Sequence, residues 1–125
     1  MQSNRLMELV QRSEEGPYMK EKEYDLFLAK RIMKLVQDYD LVYDPAVLVP
    51  SDGELADKIY QASVELLAEI GVYNQSTQRR ILFSEQEIEQ AVAAAPSAVK
   101  LGTGREAVIE RHREVEDSEP CVMHS

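Results

Sequence analysis

The side chains best suited to metal chemistry are His112, Cys121 and His124, all near the C-terminal end. Cys121 and His124 have the C-x-x-H spacing of half a zinc site. A structural zinc ion takes four ligands, and only these three Cys/His side chains lie in the region, so a carboxylate would have to complete the set. Cys121 therefore reads as a tail thiol, and no metal ligand is assigned. Gly102-Thr103-Gly104 offers part of a phosphate-binding loop, but a dinucleotide fingerprint needs G-x-G-x-x-G ahead of a helix. Residue 107 is alanine and a strand pattern follows, so the segment reads as a hairpin turn. Asp38, Asp40 and Asp44 have the look of a calcium loop. Such a loop wants glycine at its sixth position and glutamate at its twelfth, where this chain has Tyr43 and Val49. They read as helix-end and turn residues. With both histidines at the far end, no Ser/His/Asp or Cys/His arrangement for nucleophilic catalysis arises, and the many glutamates fall on solvent-facing helical positions. The residues alone assign no catalytic, cofactor-binding or metal-binding position.

The elements that would hold any site are mostly helical. From 3 to 13, Leu6, Leu9 and Val10 fall at i, i+3 and i+4, and Gly16-Pro17 ends that short helix. At about three turns it is marginal alone, so it must dock or fray. From 20 to 39, Tyr24, Phe27, Leu28, Ile32, Leu35, Val36 and Tyr39 form one face of a second helix, opposite Glu23, Lys30, Lys34 and Asp38. Pro45 and Pro50 break the period, and Leu41, Val42, Val47, Leu48 and Val49 read as an apolar connector laid against a surface. Ser51-Asp52-Gly53-Glu54 matches a capping box opening a third helix to Ile70, with Gly71 as its C-terminal stop. Its stripe of Leu55, Ile59, Ala62, Leu66, Leu67 and Ile70 is widened by Tyr60 and Val64, which predicts contact on two sides. Val72 to Phe83 alternates weakly around the turn-rich Asn74-Gln75-Ser76-Thr77, and Ile81 and Phe83 are expected to enter the core as a short extended segment. Ser84-Glu85-Gln86-Glu87 is a second capping box, and Pro96 ends its helix. Beyond it the period falls to two: Val99 and Leu101, the Gly102-Thr103-Gly104 turn, then Ala107, Val108 and Ile109 predict a β-hairpin. The fold class is thus mainly α with a C-terminal β-hairpin (α+β). Its sections are a short helix and turn (1–17), a helical section (18–96), the hairpin (97–116) and a terminal link (117–125).

The chain has 125 residues, room for one ordinary domain. Its 14 basic and 23 acidic residues give a formal charge of −9, which argues against nucleic-acid backbones as partners. A single cysteine excludes an internal disulfide and fits a reducing, cytoplasmic setting. No apolar run approaches the ~20 residues of a membrane span, so no membrane partner is expected.

From about Tyr39 onward the order of several short patterns resembles the N-terminal region of the monomethylamine:corrinoid methyltransferase family. These are Asp40-Leu41 with its connector, Val49-Pro50-Ser51-Asp52, and the run from Leu66 through Ile70-Gly71 to Tyr73, with Thr77 and Arg79 behind it. Phe83-Ser84-Glu85-Gln86-Glu87-Ile88 and Leu101-Gly102-Thr103-Gly104-Arg105-Glu106-Ala107-Val108 follow. The last is the most specific, since the family carries a closely similar L-G-T-G-R-[DE]-A-V stretch. The resemblance implies longer proteins in which a helical and hairpin section precedes a TIM barrel, absent from this chain. It implies methyl transfer from monomethylamine to the Co(I) corrinoid of a partner corrinoid protein, with pyrrolysine holding the amine in archaeal members, and a homo-oligomeric full-length enzyme. That centre belongs at the barrel mouth, far downstream of the matched region. No catalytic position therefore transfers, Gly102 and Arg105 read as turn architecture, and the corrinoid stays with the partner. The family's hairpin leads into a glycine-rich barrel start, whereas 118–125 stops before it. A truncated product, a split gene or an excised fragment is expected. Three alternatives stay open: a catalytically silent N-terminal segment, a stand-alone interaction or regulatory module using the apolar faces around Tyr60 and Val64, and another methylated amine or a betaine as the family substrate.

Overall fold

Helix propensity and amphipathic spacing build a first unit, residues 1–90, and a ribbon dominates a second, residues 91–125. The computed structural model describes residues 2–114 and 116–120. In chain order it has α1 (Gln2–Glu15), α2 (Glu21–Asp38), α3 (Gly53–Ile70), β1 (Val72–Asn74), β2 (Arg79–Ile81), α4 (Glu85–Ala94), β3 (Ala98–Leu101) and β4 (Val108–Arg111). This is a helix-rich α+β arrangement with two small antiparallel sheets.

The α2 and α3 faces meet, as their periodicity requires. Leu35, Ala62, Val64, Ile70 and Ile88 are the buried apolar side chains. Ala62 and Val64 are two positions apart, about 200° around a helix, so α3 is covered on two sides as its widened stripe predicts. The start of α3 differs from expectation. Asp52, not Ser51, is the cap: its carboxylate accepts the amides of Glu54 (2.9 Å) and Leu55 (3.3 Å). Aspartate with extended backbone one residue before the helix outcompetes serine two before it. Glu54 then pairs with Lys58 one turn on, at 3.2 Å. The second capping box forms as read: the Ser84 amide donates to Glu87 (2.9 Å) and the Glu87 amide to the Ser84 hydroxyl (3.2 Å).

The segment after α3 pairs across its turn-rich 74–77, beyond the short extended piece expected at Ile81 and Phe83, both of which are half-buried. It is a hairpin with Val72 opposite Ile81 and Asn74 opposite Arg79. Its turn carries an Asn74 side chain accepting the Ser76 amide (3.0 Å) and a positive φ of 54° at Gln78. Pro17 to Met19 lies along β2, with the Arg80 amide donating to the Pro17 carbonyl (2.9 Å) and the Met19 amide to the Gln78 carbonyl (3.0 Å). These bonds tie down the chain just after α1, and Arg12 adds contacts from α1 itself to Leu82 and Glu87; of its apolar stripe Leu6 and Val10 remain exposed and Leu9 is half-buried.

In the second unit β3 pairs with β4, Leu101 opposite Val108 and Ala98 opposite Arg111. A 3-10 turn at Gly104–Glu106 connects the strands, with positive φ at Gly102 (80°) and Gly104 (61°). The hairpin and its glycine turn stand where the period of two placed them.

Candidate docking groove

Polar side chains in the first unit cluster at one end, where they tie elements together. Thr77 donates its hydroxyl to the Ser13 carbonyl (2.7 Å), and Arg79 donates to the Gly16 carbonyl (2.7 Å). The Tyr24 and Tyr73 rings stack at 4.8 Å, and their hydroxyls donate to the carbonyls of Gly71 (3.0 Å) and Met19 (2.9 Å). Burial raises both phenols above the ordinary tyrosine value, and for Tyr73 the carboxylate of Glu21 adds to that effect. Arg80 lies over the Phe27 ring at 5.6 Å and reaches the last carbonyls of α3, leaving its buried Nε without a partner.

Two arginines hold carboxylates between elements. Arg12 Nη2 meets Glu87 Oε1 at 2.7 Å, while Nη1 donates to the Leu82 carbonyl at 3.1 Å. The Arg12 hydrogen bond, aided by the Ser84 amide, pulls the Glu87 carboxyl down to about 2. Arg31 of α2 bridges Glu65 (2.6 Å) and Glu69 of α3, and Tyr39 donates to the same Glu65 at 3.0 Å. That bond to Glu65 raises the Tyr39 phenol. All these groups position helices and strands.

The opposite end is apolar and open. Val36 and Leu41, the connector residues Val42 and Tyr43, and Leu55 and Ile59 of α3 line a groove of about 510 Å³. A crevice of about 110 Å³ between α2 and α3 shares Val36, Leu41 and Ile59 with it. The connector was expected to lie against a surface. Leu41 is partly covered and Val47 is 43% exposed, whereas Val42, Tyr43 and Val49 are about two-thirds exposed and Leu48 is 91% exposed. Two prolines deny the segment a regular hydrogen-bonding pattern, and no described element covers its outer side. The signal was present in the sequence as an apolar run without polar alternation.

Asp52 is the one charged residue of the groove's lining; Asp40 and Asp44, next to Leu41 and Tyr43 in sequence, are exposed, and Glu54 and Asp57 lie on the far face of α3. No lysine or arginine occurs from 35 to 57. The bordering Lys34 and Lys58 are drawn to Asp38 (2.7 Å) and Glu54.

The three aspartates that resembled a calcium loop do separate work. Asp38 pairs with Lys34, Asp40 sits at a φ of 49° in the turn after α2, and Asp44 accepts the Ala46 amide at 2.9 Å. Of the two residues proposed to mark an interaction surface, Val64 is buried at 6% exposure and Tyr60 is 39% exposed. The open apolar surface lies at the connector, because Val64 faces the second side of α3 that the fold covers. Arg105 lies in the 3-10 turn with Gly104, and His112 Nε2 is 3.4 Å from Glu114. Cys121 and His124 lie outside the described residues. Among the described residues there is no group of three or more His, Cys, Asp or Glu placed to hold a metal ion, and no helix is long and apolar enough to cross a membrane.

Residues 5–125 match the family model for monomethylamine methyltransferase MtmB. The chain is 33% identical over 113 residues to monomethylamine methyltransferase MtmB1 of Methanosarcina acetivorans, covering 90% of this chain and 24% of that protein. It is 35% identical over 103 residues to MtmB3 of Methanosarcina barkeri, covering 81% and 22%. The crystal structure of the Methanosarcina barkeri monomethylamine methyltransferase superposes with a TM-score of 0.75 at 30% identity, over 84% of this chain and 23% of that one. The chain thus spans about a quarter of the length of the relatives it matches.

Proposed function

This chain belongs to the monomethylamine methyltransferase family, and from that premise we propose that it is the N-terminal section of such an enzyme. The whole enzyme would move a methyl group from monomethylamine to the Co(I) corrinoid of a partner corrinoid protein in the cytoplasm. The section itself is non-catalytic and caps a barrel carried by the rest of the enzyme. The observation that carries this reading is the match across residues 5–125 to proteins about four times longer.

The arrangement of the polar groups supports a structural role. Arg12–Glu87 and Arg31–Glu65–Glu69 join separate elements, and the tyrosine hydroxyls close backbone carbonyls. The groove lining carries no histidine, and its one carboxylate, Asp52, accepts the amides that start α3; in this proposal the corrinoid stays with the partner protein.

Two preparations test the reading. In the first, this chain replaces the matching N-terminal quarter of the Methanosarcina barkeri enzyme, and the folded chimera is expected to retain methylation of Co(I) corrinoid, followed by its absorbance. In the second, the chain alone is expected to give no rate above background. Turnover by the chain alone, or a folded chimera without turnover, contradicts the proposal. A second reading, a non-catalytic interaction module derived from the family, is favoured by one observation, the uncovered apolar connector.

A further inference from the structure

We draw no further inference here: the strongest candidate, the open apolar groove between the end of α2, the connector and the start of α3, carries none, because nothing in the structure shows what covers it.

Discussion

The two ends of the first unit solve opposite problems with similar amounts of chain. Around α1 and the β1–β2 hairpin, the side chains of Tyr73, Thr77 and Arg79 donate to the carbonyls of Met19, Ser13 and Gly16, and backbone bonds join Pro17 and Met19 to Arg80 and Gln78. Around the connector, Val42, Tyr43, Leu48 and Val49 project apolar side chains outward, while Leu41 is partly covered. The first end is complete in itself; the second has the composition of a core with one side uncovered. Apolar content alone therefore does not say where a core lies, because burial needs a second surface as well as a first.

The contrast predicts a steep gradient in mutational cost. Ile70, 5% exposed at the end of α3, should lose about 3–4 kcal/mol on Ile70→Ala, read by urea denaturation, because it leaves a cavity in packed surroundings. Next is Gly71→Ala. Gly71 has φ 68° and ψ −167°, a region essentially reserved for glycine, and an added Cβ would collide with the Ile81 carbonyl oxygen. A loss of about 2–3 kcal/mol is expected by the same measurement.

A third prediction concerns acid. Glu87 titrates near 2 in the fold, against an ordinary value of 4.5. Because the folded value is the lower one, its stabilisation is fully present above about pH 4.5 and disappears as pH falls towards 2. Both Arg12 and Glu87 side chains are 37% exposed, so solvent screening limits the pair to at most about 1 kcal/mol. Glu87→Gln should remove that part of the pH dependence between 4.5 and 2, measured as the difference in urea midpoint between the two proteins. An unchanged acid profile would show that the pair does not anchor α1.

Local signals explain which parts of this were legible. The faces of α2 and α3, the Ser84–Glu87 box and the glycine turn at 102–104 rest on spacings of four residues or fewer, and each stands where its pattern put it. The Asp52 cap was hidden because Ser51 satisfied the same template one position early. The β1–β2 hairpin was missed because it gains its support from far away: Pro17 and Met19 hydrogen-bond to Arg80 and Gln78, some 60 residues on. Arg12–Glu87 and Arg31–Glu65 are likewise invisible to periodicity. The groove was half legible. Its apolar residues were evident, but their outward orientation depends on where α2 ends and how Pro45 and Pro50 steer the chain.

The smallest expected effect is the most direct test of the claim that the connector is an outward surface rather than a core. Val42→Ser/Leu48→Ser replaces two side chains that are 67% and 91% exposed. Urea denaturation of this double variant should give a stability within about 0.5 kcal/mol of the parent. A loss of about 2 kcal/mol or more, the scale of a core truncation, would mean that these residues are packed in solution and would contradict the account.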